Sequence, residues 1–537
     1  MKADMIFHNG NIITVDKNFS VAQAVAIKSD KILKVGTNEM VNYFECANKI
    51  DLKGKTMMPG IIDAHGHLGM ALKFANWADL TSKNYYNPQI FTVDEIIEKL
   101  KDHKKNYELG SDKLILGFGY HESMLKEKRN ITKFDLDKVS TTQPVIISNV
   151  ALHVFSFNTV ALKNLNINEN TVDPVGSKIF RVDNSNEPNG VIQGPLAQQL
   201  VFNLSAETDE MKMKGFEKVQ KEYLSCGITT VQEGKSTEGD LSIIDLLIKN
   251  DKIKFDIVSY VDYTGIEDIL KQYNFKVGTY KDHFKIAGPK IISDGTLISG
   301  AFLTEPFTGT DNYGIEYCTK EELEKVIRMS IENNWQFAVH AMGDAAIDKV
   351  LNIYNDVAIE KKIDLKKYRH TIVHGSAVRE DQLDRIKSLN LMLTLYPSAT
   401  AALYEAYCMT IGKERAGRSN PVKSAVDRGI VVTLHNDAPI IGPDPFIMLW
   451  AAVNRVSVRE KIPFGQEQRI SVEEAIKALT INVAYQYFEE KEKGSIEEGK
   501  LADLIIIDRN PLEIDTMDLG EIKVLKTIKD GRIVFEL

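Results

Sequence analysis

The chain has 537 residues, 43% hydrophobic and 26% charged, more than the roughly 250–300 residues that one core supports. Its net charge of -9 argues against nucleic acid or an anionic membrane surface as the main partner; a small-molecule substrate is the expected partner, though the charge does not identify it. The four cysteines, Cys46, Cys226, Cys318 and Cys408, are too scattered for a CxxC site or a disulfide framework, so a reducing cytoplasm is the expected location. The first residues lack the apolar stretch of a signal peptide, and no run is long enough to span a bilayer.

In chain order, the first segment reads as short strands. Two apolar pieces flank a turn at Asn9 and Gly10, and residues 24–36 form a hairpin turning at Ser29 and Asp30. The C-terminus has the same texture, with a strand at 502–508 and a hairpin turning at Asp530 and Gly531. Isolated hairpins are marginal in water, so the two ends are expected to pair into one small β-sandwich domain, residues 1–60 with 492–537. Between them, residues 61–491 alternate apolar runs with amphipathic helices. The runs include LILGF from Leu114, PVIIS from Pro144, GITTV from Gly227, KIIS from Lys290, QFAVH from Gln336, HTIVH from His370 and VVTLH from Val431. A helix from Thr319 to Asn334 is one of the connections. This pattern predicts an α/β fold, a (β/α)8 TIM-like barrel with insertions. The charged stretch at Glu489 to Lys493 reads as a solvated connection.

His65, His67, His340, His374, His435 and Asp437 all fall at or just past the C-terminal end of an apolar run. In a parallel barrel those ends form one face, which carries the active site. A His-X-His pair on extended chain points both rings the same way, and imidazoles converging from neighbouring strands suit Zn²⁺ or a similar divalent ion. His370 sits at a strand start, on the opposite face, and reads as structural. His8, His103 and His283 fall outside the pattern and read as surface or structural.

The motif PGIIDAHGH, Pro59 to His67, resembles the opening of the amidohydrolase superfamily, and further pieces resemble its YtcJ-like (Amidohydro_3) branch. They are LILGFGYH at 114–121, Pro144 through His153 with Asn158, EPNGVI from Glu187, KIISDGT from Lys290, HAMGDAA from His340, RHTIVHG from Arg369, NDAP from Asn436 and GSIEEGKLADLI from Gly494. The resemblance spans nearly the whole chain. It implies a metal-dependent hydrolase of C–N bonds in an amide, cyclic amide or N-acyl or N-formyl compound, acting through water activated by one or two divalent ions, zinc being expected. His65, His67, His340, His374 and Asp437 would be ligands, after strands one, five, six and eight. Asp437 would carry the proton from water to the leaving nitrogen, and the metal with a nearby imidazole, His374, would polarise the carbonyl. Lys290 would be a ligand on the fourth strand only as a carbamate, with Glu233 as its rival. His153, Asp294 and Tyr120 would meet the substrate, with His121 also near the mouth. The same scaffold supports ester hydrolysis or deamination, and a non-catalytic regulatory or binding protein on this fold is the reading from another class. A homodimer suits a barrel of this size, though no patch marks one. The chain departs from the branch twice: Gln193 and Gly194 follow Gly190-Val191-Ile192 where a glutamate is usual, and His435-Asn436-Asp437 stands where Gly-Ser-Asp is common.

Overall fold

In a computed structural model, residues 2–81, 92–106, 114–120, 122, 125–150, 152–174, 176–204, 208–298 and 300–537 are described. They form two compact units, Met1–Gly69 with Glu217–Leu537, and Met70–Phe216.

The first unit is built on an eight-stranded parallel sheet. Its strands in chain order are β1 (Ile61–Ile62), β2 (Ile228–Ser236), β3 (Asp256–Asp262), β4 (Phe284–Ile292), β5 (Ala338–Ala341), β6 (Thr371–His374), β7 (Met392–Leu395) and β8 (Val432–Leu434). Each pairs with the next, all in parallel register. Strands buried on both faces read as unbroken apolar runs rather than alternating ones, and β4 is buried along all but its last residue. The sheet curls until its edges meet at the C-terminal ends, where the His67 N–H donates to the Ala438 carbonyl at 2.7 Å. This is the TIM-like α/β arrangement that the pattern predicts. The predicted connection from Thr319 forms as a helix over Lys320–Glu332, started by a reciprocal cap. The Glu322 N–H donates to the Thr319 hydroxyl at 3.2 Å, and the Thr319 N–H to the Glu322 carboxylate at 2.8 Å.

Two further sheets of this unit come from the chain ends, one shared by both ends and one built from the N-terminal segment alone. Thr56–Pro59 pairs antiparallel with Leu504–Ile507, residue Met57 opposite Ile506, within a six-stranded sheet. Met5–His8, Ala24–Lys28, Lys31–Gly36 and Lys49–Asp51 make a four-stranded one. The pieces flanking the Asn9–Gly10 turn thus part company: Met5–His8 joins the smaller sheet and Asn11–Ile13 the larger. One apolar cluster, with Phe7, Val25 and Ile27 from one sheet and Met57, Leu504 and Ile528 from the other, fills the space they share. At the last hairpin Asp530 and Gly531 take φ 50 and 71, the left-handed pair of a tight hairpin. A side chain at Gly531 would collide with the Ser29 carbonyl.

Two expectations need correction. The runs at Leu114 and Pro144 are not barrel strands. They form Ile115–Tyr120 and Val145–Asn149 in the second unit, within a six-stranded mixed sheet that pairs parallel at one edge and antiparallel at the other. An apolar run is the same signal whichever sheet receives it. The stretch at Glu489 is solvated only in part, at Lys491 and Glu492. Glu489 and Lys493 are 6% and 3% exposed, because each is ion-paired at the N-terminal end of the barrel, Glu489 with Lys285 and Lys493 with Asp256.

Candidate metal centre

The chain leaving β1 carries Asp63, His65 and His67 across the C-terminal mouth of the barrel. His65 is held on one side by Gln232 of β2, whose Oε1 lies 2.6 Å from His65 Nδ1. The Gln232 amide nitrogen faces two oxygens, the Ala64 carbonyl at 2.5 Å and the Tyr487 hydroxyl at 2.7 Å. Its orientation is therefore fixed, and its oxygen must accept. His65 consequently carries its proton on Nδ1 and presents an unprotonated Nε2 to the site. The Tyr487 hydroxyl in turn donates to the Asp63 carbonyl at 2.7 Å. Gly234, two residues past Gln232, leaves room for the ring, since a side chain there would strike His65.

Opposite stands Asp437, on the loop after β8. Its Oδ1 lies 3.3 Å from His65 Nε2 and 3.4 Å from His67 Nε2. One atom from each of His65, His67 and Asp437 falls within a 4.8 Å group. The loop is pinned by Asn436, whose amide donates to the carbonyls of Gly442 at 2.9 Å and Asp444 at 2.7 Å. Asp437 and His374 have φ of 56 and 74. Non-glycine residues reach the left-handed region at a cost of about 1–3 kcal/mol, and such residues cluster at functional sites.

The remaining strand ends complete a ring of imidazoles. The His374 ring, at the end of β6, is 5.2 Å from that of His65, 4.4 Å from that of His340 and 4.9 Å from that of His435. His435, at a position where this chain departs from the branch's common pattern, stacks on Tyr396 at 4.5 Å. Burial keeps these rings neutral: it pushes His65 and His374 well below the ordinary imidazole value, His340 to about 4 and His435 to about 3. His67 is the exception. Burial lowers it, but the Asp437 carboxylate outweighs that and raises it overall.

Lys290 lies inside β4, buried, and among the described residues its ammonium makes no hydrogen bond. Burial lowers it to about 7, against the pull of Asp437. Glu233, its rival, places Oε1 4.0 Å from His67 Nδ1, and burial followed by Asp240 raises it to about 7. Asp294 is fully enclosed and accepts from the N–H groups of Met342, Gly343 and Phe302 at 2.9, 2.7 and 3.0 Å. It also stands 3.6 Å from His340 Nε2, so its carboxylate braces the loop after β5. His370 is buried among Tyr368 and Phe337 at the other end of the barrel and accepts from the Phe337 N–H at 3.0 Å, the structural place expected of it. Tyr120 and His153 belong to the second unit. Tyr120 is buried in that unit's core, its hydroxyl 3.4 Å from Ser156 Oγ, and His153 is exposed. His121 lies outside the described residues.

Whether these residues suit a cation is decided by what their atoms lack. His65 Nε2, Asp437 Oδ1, His374 Nδ1 and both His435 nitrogens are buried without a hydrogen-bond partner. Unpaired buried polar atoms cost about 1–3 kcal/mol each, and here several converge. Two acceptors, His65 Nε2 and Asp437 Oδ1, facing each other at 3.3 Å repel unless a positive charge lies between them. Neutral imidazoles and a carboxylate are the donor set of a divalent ion. Sequence reasoning passed over Gln232 and Tyr487. Gln232 had one signal, its place beside Glu233 at a strand end; Tyr487 had none.

Comparison with known proteins shows the family. The amidohydrolase family model (Amidohydro_3) matches residues 49–535. An N-substituted formamide deformylase of Arthrobacter pascens is 28% identical, over 99% of this chain and 98% of its own length. A YtcJ amidohydrolase of Bacillus subtilis (strain 168) is 28% identical over the full length of both. A crystal structure of a metal-dependent hydrolase from Pyrococcus furiosus has a TM-score of 0.74 and 26% identity, covering 95% of this chain and all of that one. The chain belongs to the amidohydrolase family.

Proposed function

We propose that this protein hydrolyses a C–N bond in an amide, cyclic amide or N-acyl or N-formyl compound, using one or two divalent ions, zinc by expectation. The observation that carries the reading is the pair of unshared lone pairs, His65 Nε2 and Asp437 Oδ1, 3.3 Å apart in a buried site. His65, His67 and Asp437 would hold one ion, with His340, His374 and Lys290 toward a second, Lys290 as its carbamate. When bound, the ion supplies Lewis acidity and brings the pKa of a water to about 7. Asp437, held below the usual carboxylate range by His67 despite its burial, takes the proton of that water and passes it to the leaving nitrogen. His374, kept neutral by burial, faces the scissile carbonyl. Asp294 braces His340 beside the substrate.

The formamide deformylase relative supports an N-formyl or N-acyl substrate. Residues 61–491 would form the catalytic barrel with its insertion, and residues 1–60 with 492–537 a β-sandwich around their common core. Four free cysteines suit a cytoplasmic protein, and no helix among the described residues is long and apolar enough to cross a membrane. The test is a screen of N-formyl amines, N-acyl amino acids and cyclic amides with the metal-loaded enzyme. The expected result is turnover of at least one class. Turnover confined to esters or aminopurines would contradict it.

A further inference from the structure

Two adjacent residues of β2, Gln232 and Glu233, each face a different histidine of the His65-Gly66-His67 motif. Gln232 meets His65 at Nδ1. Glu233 stands at the Nδ1 edge of His67, its Oε1 4.0 Å away, a distance of charge attraction rather than of a hydrogen bond. Asp437 stands at the other edge of that ring, its Oδ1 3.4 Å from Nε2. The two nitrogens of an imidazole point away from each other. The His67 ring therefore lies between Glu233 and Asp437, and Glu233 is on the side away from the unpartnered atoms of the cluster.

Glu233 is built into this place. It is 2% exposed, and backbone holds both of its oxygens. Oε2 accepts from the Gly69 N–H at 2.5 Å and Oε1 from the Lys235 N–H at 3.0 Å. The chain after His67 comes this close because Gly69 has no side chain, which would collide with Asp240. The two segments run side by side here: His67 and Glu233 form an isolated antiparallel bridge, and the Gly234 N–H donates to the Gly66 carbonyl at 2.7 Å. No lysine or arginine neutralises Glu233 among the described residues. Lys235 pairs with Asp262 at 2.9 Å instead, and the ion-pair contact that Glu233 makes is the one with His67. A buried carboxylate without a counter-charge is costly, and the group that gains from this one is the Nδ1 edge of His67.

We propose that Glu233 is the positioning residue of His67. Its charge holds the ring proton on Nδ1 and so directs the Nε2 lone pair at the ion, as an outer carboxylate fixes a ligating histidine. Glu233 is then not a ligand itself, and the fourth-strand ligand position is left to Lys290. Neighbouring residues of one strand thus mount both histidines of the motif, Gln232 with a neutral oxygen and Glu233 with a charge. This role rests on the metal reading of the site.

The test loads full-length protein with saturating Co²⁺. The visible absorption of this ion reports its ligands, and its paramagnetism shifts the Nδ1 protons of coordinated histidines out of the ordinary NMR range. The shifted resonance that disappears in His67→Ala belongs to His67. In Glu233→Ala that resonance should be lost to solvent exchange and the Kd for Co²⁺ raised about 10–100-fold, while the absorption band keeps its shape because no ligand is removed. Glu233→Gln keeps the shape of the side chain and drops its charge. It should raise the Kd about tenfold, and it carries the test if Glu233→Ala does not fold. An unchanged Kd with an unchanged His67 resonance in Glu233→Gln would overturn the assignment. So would a changed absorption band in either variant, which would make Glu233 a ligand. Wild-type protein that takes up no Co²⁺ would overturn the metal reading itself, and this role with it.

Discussion

The barrel carries a buried cluster of titratable side chains at each end, and the two differ in one respect. At the N-terminal end, Asp256 is ion-paired with Lys493 and, at 3.2 Å, with Lys529, while Lys529 also reaches Asp503 at 3.2 Å. Glu489 joins Lys285 to Lys493, and His283 closes the group on Asp256 at 2.8 Å. Every charge there has an opposite charge. At the C-terminal end, rings and a carboxylate are packed as closely, yet their atoms face one another without partners. Burial of polar groups is thus not the mark of function, because the charge-paired cluster is equally buried. The mark is several buried acceptors converging with no positive charge between them, which an evolved fold tolerates where something else supplies the missing charge.

The contrast predicts opposite responses to similar substitutions. Asp437→Asn should lower kcat by about three orders of magnitude or more with little loss of folding stability and with metal still bound, measured by turnover, urea unfolding and metal analysis. Full activity in this variant would remove Asp437 from its role. Asp256→Asn should do the reverse. It leaves two buried lysines short of their counter-charge, which costs about 3–5 kcal/mol, read as a lower urea midpoint, while folded molecules keep their turnover. A loss below about 1 kcal/mol would show that the cluster is not the tie between the chain's end and the barrel.

A smaller effect is expected from the support of His65. Gln232→Ala removes the acceptor that fixes its tautomer, and losses of about 10–100-fold in metal affinity follow from such changes. Unchanged affinity in a competition titration would count against that mount. The smallest effect concerns pH. The Asp256 hydrogen bond, outweighing burial, raises the His283 pKa. The stability this adds is full below about 6.5, the unfolded value, and is lost as pH rises through the higher folded value. Because His283 is 39% exposed, solvent screening keeps the effect below about 1 kcal/mol. His283→Asn should flatten that part of the stability profile. Asp256 works in the other direction: burial alone would raise it, but Lys493 and Lys529 hold it well below the usual range, so its stabilisation is lost as pH falls through the acid range.

The legibility of the two ends in the sequence differs for a physical reason. His65, His67, His340, His374 and Asp437 could be found because strand ends on one face of a parallel barrel recur as a histidine or aspartate closing an apolar run. The strand count predicted for them, one, five, six and eight, is the count observed. The N-terminal cluster and the clamp on His65 were invisible, since their partners come from distant chain: Tyr487 meets Asp63 across 424 residues and Lys493 meets Asp256 across 237. Charged residues in the sequence carry no sign of the partner that buries them. The separate mixed sheet of the second unit was hidden for a related reason, as its apolar runs match those of the barrel in length and composition.

The account rests on the claim that the unsatisfied cluster is a cation site, and metal analysis tests it most directly. Full-length protein equilibrated with Zn²⁺ and freed of excess should hold one or two ions per chain by mass spectrometry of its metal content, and the double variant His65→Ala, His67→Ala, if folded by circular dichroism, should hold fewer. Wild-type protein that takes up no divalent ion, or a double variant that retains the full complement, would contradict it.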